Sequence, residues 1–313
     1  MTDFVHLRLH TEYSLVDSVV RIPELIAQVA AERMPAVAVT DQSNLFALVK
    51  FYKAALEKGV KPIVGVDLLI AEPGERVAPT RIALLCQNDA GYRNLTRLVS
   101  RAYLEGQQRG EPRIDRAWLD ARSTAGLIAL SCGAEGDVGR ALAAGKVVDA
   151  RRQLAEWCAI FGDRYYLEVS RLGREGEEAL LTATVDLALA ESVPIVATND
   201  VRFLSSADFE SHEARVCIHE GTQLGDPSRP RRYTPQQYLR SPAEMAELFA
   251  DLPEALANSV QIARRCSLLL QLGESRLPEY PVPKGQTTEE FLCAESASGL
   301  KDRLKRLPNA EIA

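Results

Sequence analysis

The sequence predicts an α/β protein in which about seven β/α units close into a barrel. First, apolar runs rich in β-branched residues alternate with helical segments, a pattern that indicates parallel strands joined by helical crossovers. Second, a polar residue follows nearly every apolar run, as in barrels whose functional side chains lie at the carboxyl ends of the strands. Third, 46% of the 313 residues are hydrophobic, enough for a large core. An open, doubly wound sheet is the alternative, and the recurring polar residues favour the barrel.

The first predicted strand is the stretch FVHLRLH, residues 4–10. Side chains of a strand repeat with period two, so His6, Arg8 and His10 are expected on one face. Two histidines spaced in this way often begin a metal site. Arg8 lies between them, and its guanidinium stays protonated and has no lone pair to offer a cation. His6 is expected to be an ordinary hydrogen-bonded histidine.

Six further apolar runs complete the predicted sheet, and most of them follow a helical segment. An amphipathic pattern at 22–30 precedes the second strand, and a helical stretch that ends at Gly59 precedes the third. The strands are predicted at 35–40, 61–70, 81–86, 126–131, 164–169 and 193–198, and the later helices near 91–105, 149–161 and 175–192. The polar residues at the strand ends are His10, Asp41, Asp67, Asn88, Ser131, Ser170, Asn199 and Asp200.

After residue 203 the pattern becomes helical. Ser241 as N-cap, Pro242 at the first position and Glu244 at the third form a capping box. A second helix is predicted at 253–266, and the proline-rich stretch 276–285 is typical of a linker.

Thr287 and Glu290 form another capping box, which opens a helix predicted to reach about residue 307. Its apolar side chains form a partial stripe that no later segment covers, as expected for a piece of a longer protein. The residues of the stripe are Phe291, Leu292, Leu300, Leu304 and Leu307.

Charge and cysteine content narrow the class of protein. The net charge of −6 argues against a broad nucleic-acid-binding face, and the basic runs at 228–233 and 301–307 are short. The six cysteines form no Cys-x-x-Cys pair, which favours reduced thiols in a cytoplasm. We recognise no signal peptide and no run of the roughly 20 apolar residues that a membrane span requires.

Four stretches, in order and at fitting spacing, resemble the start of the alpha subunit of bacterial DNA polymerase III. That start is the polymerase-and-histidinol-phosphatase (PHP) domain. The stretches are FVHLRLHTEYSLVDS, AVAVTDQSNLFALVKFYKAALEKGVKPIVGVD, PIVATNDVRF and AEMAELFADLPEALANSVQIARRC. The resemblance implies the PHP fold, a distorted seven-unit β/α barrel, with a C-terminal helical extension toward the polymerase palm. This fold agrees with the strand count above.

The same resemblance implies a division of the chain. Residues 1–280 correspond to the PHP domain, with the barrel at about 1–203 and a helical closing segment at about 204–280. Residues 281–313 correspond to a linker and the first helix of a truncated palm region.

In active PHP domains, histidine, aspartate, glutamate and sometimes cysteine side chains at the strand ends bind up to three metal ions, which promote phosphoester hydrolysis. Transferred position by position, the pattern implies a vestigial site here. Donors remain at His10, Asp17, Asp67 and Asp200. Five ligand positions are held instead by Arg8, Gln42, Gly133, Leu172 and Arg202. We therefore expect no metal and no cofactor in this chain, although the oxygens left are enough for one weakly held Mg²⁺.

Two of these replacements, Arg8 and Arg202, bring a fixed positive charge. A bound ion is often the largest charge in its site, and guanidinium–carboxylate pairs are a physical substitute for it. We therefore expect Arg8 and Arg202 to pair with Asp200 and with Asp17 or Asp67.

The favoured hypothesis is a catalytically degenerate scaffold that stabilises a replicative DNA-directed DNA polymerase, a nucleotidyltransferase. The resemblance implies docking of a proofreading exonuclease (epsilon) subunit and contact with the palm. It also implies a place in a cytoplasmic replisome, where the parent protein contacts DNA and the other subunits and no membrane is involved. The catalytic carboxylates and the Mg²⁺ of the polymerase would lie beyond residue 313. The alternatives are a residual metal-dependent phosphoesterase, either a 3′–5′ exonuclease or a pyrophosphatase, and a free-standing phosphatase of small molecules.

Overall fold

The computed structural model describes residues 4–71, 78–108, 110–274 and 280–306. The chain divides into two compact units, Met1–Leu269 and Leu270–Ala313. The division falls before the boundary predicted at residue 280, and the predicted linker 276–285 lies partly outside the described residues.

The first unit is a mixed α/β structure built on an eight-stranded sheet in the order β4-β5-β2-β3-β6-β7-β8, with β1 paired to β2. The strands are β1 Ala36–Val39, β2 Lys61–Ile70, β3 Thr80–Cys86, β4 Gln107–Gln108, β5 Glu111–Ile114, β6 Leu127–Leu130, β7 Tyr165–Val169 and β8 Ile195–Ala197. The helices of this unit are α1 Ile22–Ala31, α2 Leu48–Glu57, α3 Asp89–Glu105, α4 Asp137–Ala143, α5 Val147–Phe161, α6 Glu177–Glu191, α7 Phe209–Glu220, α8 Pro242–Leu248 and α9 Pro253–Arg265. The short strands β4 and β5 were not predicted.

The expectation of a wholly parallel sheet is wrong at β3. This strand runs antiparallel to both of its neighbours, β2 and β6, whereas β1–β2, β6–β7 and β7–β8 are parallel. The cause is the short connection between β2 and β3, because a parallel pair needs a crossover of about a dozen residues or more. The carboxyl end of β3 therefore lies at the edge where β6 begins, with Cys86 paired to Leu127.

The prediction of a regular first strand is also wrong, although residues 4–10 lie between β1 and the chain after β8. Backbone hydrogen bonds link Ala38 to His6 and Thr40 to Leu9 on one side, and His10 and Arg8 to Val201 on the other. These bonds are consistent with closure of the sheet, and the barrel stays a prediction. The period-two alternation breaks along the segment, because Val5 and Leu7 pack in one core cluster and Leu9 in another.

Two apolar clusters cover opposite faces of β1. Ala36 and Ala38 pack with the inward residues of the other strands and with Ile262 of α9. Val37 and Val39 pack against α1 and α2. The helices therefore form an outer layer, and α9 contributes to the inner core.

The capping boxes predicted at the later helices are present. The Ser241 hydroxyl accepts from the Glu244 N–H at 3.2 Å at the start of α8. In the second unit, Thr287 and Glu290 form the same pair at the start of α10, Thr288–Arg306. Leu307 of the predicted stripe lies outside the described residues. Across the described ranges, every helix is too short or too polar to span a membrane.

Candidate functional site

A charged cluster is buried at the strand ends of the first unit. Residues 4–10, β2, β7 and the segment after β8 each supply part of it, the start of β3 adds an arginine, and the turn after β6 adds a glutamate. The members of the cluster are Arg8, His10, Asp17, Asp67, Arg81, Glu135, Glu168, Asp200 and Arg202.

Arg8 is the hub of the cluster, with only 3% of its surface exposed. Its Nε and Nη2 donate to Asp67 Oδ2 at 3.3 and 3.0 Å, and its Nη1 donates to Glu168 Oε1 at 3.2 Å. Asp200 Oδ1 lies 3.4 Å from Nε, and Glu135 accepts a further bond. One guanidinium therefore faces four carboxylates, as expected for a group that replaces bound cations.

Arg202, 1% exposed, holds the other side of the cluster. Its Nη2 donates to Asp200 Oδ1 at 2.6 Å, and its Nη1 contacts Asp17. Asp17 also accepts a bond from the Tyr233 hydroxyl, and the Gln237 amide donates to Asp200 Oδ2 at 2.8 Å. The expected pairing of Arg8 and Arg202 with these carboxylates is confirmed.

His10 bridges two carboxylates. Its Nδ1 lies 2.8 Å from Asp17 Oδ2, and its Nε2 lies 3.2 Å from Asp67 Oδ2. Burial and the neighbouring Arg202 oppose the protonated form, but the hydrogen bonds to Asp17 and Asp67 outweigh them and raise the pKa of His10. An imidazole that donates from both nitrogens has no lone pair left for a metal ion.

The carboxylates of the cluster respond differently to the same surroundings. Burial alone raises the pKa of a carboxyl group, but Arg202 lowers the pKa of Asp17 well below its usual range. Arg8 and Arg81 do the same for Asp67, and Arg202 and Arg8 for Asp200. At Glu168, burial dominates and raises the pKa. The cluster is therefore held by ionised aspartates and guanidinium groups.

The residues present do not fit the multinuclear metal centre that the resemblance implies for active members. Arg8 and Arg202 occupy the carboxylate oxygens that would face the ions, and fixed positive charges so close would repel a divalent cation. Within the described ranges, no group of three or more histidine, cysteine, aspartate or glutamate side chains is arranged to hold a metal ion.

The other predicted positions lie beside the cluster or outside it. Gln42 accepts a bond from Arg81 Nη2 at 2.9 Å. Gly133 has a positive φ of 47° in the turn after β6. Leu172 is buried, and its backbone N–H donates to Glu177 at 2.6 Å. Asp41 accepts from Thr11 and Ser14, which fixes the loop that leads to Asp17.

His6 and Asn88 do not join the cluster. His6 Nε2 lies 2.8 Å from the carbonyl oxygen of Arg240, which confirms an ordinary hydrogen-bonded role. Asn88 was predicted at the edge that carries the functional residues, and this is wrong because β3 is antiparallel. Its side chain instead accepts from the Gly91 N–H and caps α3.

Sequence reasoning missed Arg81, Glu135 and Glu168. Arg81 begins β3, and its Nη1 lies 3.4 Å from Asp67 Oδ2. The short β2–β3 connection was the signal for it, since an antiparallel strand brings its first residues to this edge. Glu168, 3% exposed, was readable as a carboxylate within an apolar strand. Glu135 follows a turn whose course the sequence did not indicate.

A sheet with outer helices and a polar cluster at its strand ends fits the PHP class, and residues 6–172 match the PHP domain model. The chain belongs to the PHP family. Over 97% of its length it is 53% identical to DNA polymerase III subunit alpha of Pseudomonas aeruginosa, and over 96% it is 48% identical to that of Escherichia coli K12. It spans about 26% of the length of each of these two relatives.

Among solved structures, the fold is similar to an amidohydrolase from Chromobacterium violaceum. The two are 14% identical, with a TM-score of 0.46 over 67% of this chain and 96% of that one.

Proposed function

We propose that the chain is the amino-terminal PHP region of a bacterial DNA polymerase III alpha subunit, and that it serves there as a structural domain without hydrolytic activity. The sequence identity to alpha subunits over nearly the whole chain supports the first part. On this proposal, polymerisation and its Mg²⁺ belong to the remainder of the alpha subunit, and DNA is contacted there.

One observation supports the structural role above all others. Arg8 and Arg202 lie among the carboxylates at the strand ends, within ion-pair distance of Asp67, Glu168 and Asp200. Hydrolysis of a phosphoester by a PHP site needs metal ions to generate a hydroxide and to neutralise the developing charge. Here the guanidinium groups neutralise the carboxylates instead, and they offer no coordination position for a nucleophilic water.

The proposed partners follow from the alpha-subunit relatives and from the PHP resemblance. They are the palm of the same polypeptide, the other replisome subunits and a proofreading exonuclease (epsilon) subunit that docks on this domain. The proposed compartment is the cytoplasm. A pull-down of this chain with the purified exonuclease subunit tests the docking, and an absence of binding would leave only the role of stabilising the polymerase.

Metal analysis tests the absence of hydrolytic activity. The purified chain is equilibrated with excess Mn²⁺ or Zn²⁺, freed of unbound metal and analysed by mass spectrometry, with hydrolysis of single-stranded DNA and of pyrophosphate measured in parallel. We expect far less than one ion per chain and no turnover. One or more ions per chain, with turnover that His10→Ala abolishes, would support the phosphoesterase instead.

A further inference from the structure

Helix α2 is apolar on both of its faces. Leu48, Phe51, Tyr52 and Ala55 are buried against the sheet. On the opposite side, Val49 is 49% exposed and Leu56 54% exposed, and a list of three is completed by Phe46 in the turn before the helix, at 67%. A helix that covers only a core needs one apolar face, so the second one calls for a function.

The exposed apolar residues share the spacing of a single helical stripe. Positions 46, 49, 53 and 56 follow one another at intervals of three and four residues, the period that places side chains on one face. Large exposed apolar side chains on α3, α6 and α7, namely Leu104, Leu189 and Ile218, are not arranged in this way. Isolated exposed leucines are normal on protein surfaces, whereas clustered ones mark interaction sites.

The stripe continues into the neighbouring loop. The Asn44 side chain donates to the Tyr13 carbonyl at 3.0 Å and accepts from the Phe46 N–H at 3.0 Å, which joins the start of α2 to the loop at 12–17. In that loop Leu15 is 68% exposed and has a φ of 55°, a backbone conformation that side chains other than glycine rarely adopt. The fold therefore maintains a strained, exposed leucine beside the stripe.

The charges around the stripe indicate the kind of partner. Lys50 and Lys53 are exposed on the same face, and Lys58 is exposed at the end of the helix. Glu57 follows the stripe, and Glu12 lies 3.5 Å from Lys50. The face is thus locally basic in a chain of net charge −6. A second copy of the chain packed on it in antiparallel fashion would set lysines against lysines, which disfavours self-association.

We propose that the α2 face, formed by Phe46, Val49, Lys50, Lys53 and Leu56, binds an acidic amphipathic helix of a partner protein. Apolar residues of the partner helix cover the stripe, and its carboxylates pair with the two lysines. Recognition of an amphipathic helix through apolar anchors flanked by complementary charge is a common mode of peptide binding. The proposal uses no residue of the charged cluster, so it stands whether or not the chain hydrolyses phosphoesters.

The test uses a fluorescein-labelled synthetic helix with leucines on one face and glutamates beside them, titrated with the 313-residue chain while anisotropy is recorded. Phe46→Ser should weaken binding by about tenfold or more, because burial of a large apolar side chain contributes on that scale. Leu104→Ser on α3 is the matched control and should leave binding unchanged. Thermal melts of both variants should agree with the parent, since both side chains are exposed.

Charge reversal gives the second arm. Lys50→Glu combined with Lys53→Glu should weaken the acidic probe and strengthen a probe whose glutamates are replaced by lysines. Absence of binding by the acidic probe overturns the proposal, as does an equal loss in Leu104→Ser. Binding to anionic phospholipid vesicles in place of the probe, or dimerisation in ultracentrifugation that Phe46→Ser abolishes, would assign the face to a membrane or to a second copy instead.

Discussion

Arg202 joins two carboxylates that lie far apart in the sequence, Asp17 and Asp200. All three side chains are at least nine-tenths buried. A buried ion pair contributes little compared with apolar packing, but removal of one partner leaves the other charge without compensation. The strong lowering of the pKa of Asp17 beside Arg202 shows how closely the two groups interact.

We expect Arg202→Ala to lower the free energy of unfolding by about 3–5 kcal/mol, measured by urea denaturation at pH 7. The matched control is Arg93→Ala, which removes an exposed pair with Asp89 and should cost well under about 1 kcal/mol. Equal midpoints for Arg202→Ala and the parent would contradict a role of the arginine in replacing bound ions.

His6 gives a separate pH dependence at the opposite end of the first segment. Burial lowers its pKa from 6.5 to about 4, so the native state holds the imidazole neutral. The folded pKa lies below the unfolded one, so this contribution to stability is complete above pH 6.5 and is lost as the pH falls toward 4. The difference corresponds to about 3 kcal/mol.

His6→Gln keeps a donor for the Arg240 carbonyl but removes the titration. We expect the free energy of unfolding to fall less steeply between pH 6.5 and pH 4 in this variant than in the parent, as measured by urea denaturation across that range. His219→Gln, at an exposed position, should retain the parent slope. If His6→Gln also kept that slope, the imidazole would not be neutral in the folded state.

At the scale of the element, the sequence located the main strands but did not give their directions. The apolar run at 81–86 predicts a strand equally well in either direction, and only the length of the preceding connection decides between them. The consequence reaches the site: Arg81 enters the charged cluster, and Asn88 leaves it to cap α3. The pairs of Arg8 and Arg202 were predictable because residue type and position at the strand ends sufficed for them.

The cap of α3 is also a point of close contact between elements. A Cβ added at Gly91 would lie 1.9 Å from the carbonyl oxygen of Gly126, just before β6. We expect Gly91→Ala to lower the free energy of unfolding by about 1–3 kcal/mol, because the backbone has to move, even though alanine favours helices by up to about 1 kcal/mol. Urea denaturation measures the loss.

Gly225→Ala serves as the control, since a Cβ there meets nothing within 4 Å. An increase in stability of Gly91→Ala, as at an ordinary helical glycine, would show that α3 does not pack as closely on this turn as the structure indicates.

At the scale of the whole molecule, the two units differ in how their helices are stabilised. In the first unit the sheet lies in the core, and every residue of β1, β6 and β7 is buried. In the second unit, α10 has no buried residue, and Leu292 and Leu300 are 64% and 58% exposed. The capping box and the 3.6-residue pattern predicted this helix from sequence, but neither supplies the burial that stabilises a helix in water.

Amide hydrogen exchange should therefore separate the two units. We expect amides of α10 to exchange within seconds to minutes at neutral pH, because an isolated helix of this length frays and reopens readily. Amides of β6 and β7 should stay protected for hours, since their exchange requires opening of the core. α5 is a useful internal reference, because it is a helix of similar length with Leu154, Trp157 and Phe161 buried. Protection of α10 equal to that of α5 in the isolated chain would mean that its apolar stripe is covered, and the exposure of Leu292 and Leu300 would then be wrong.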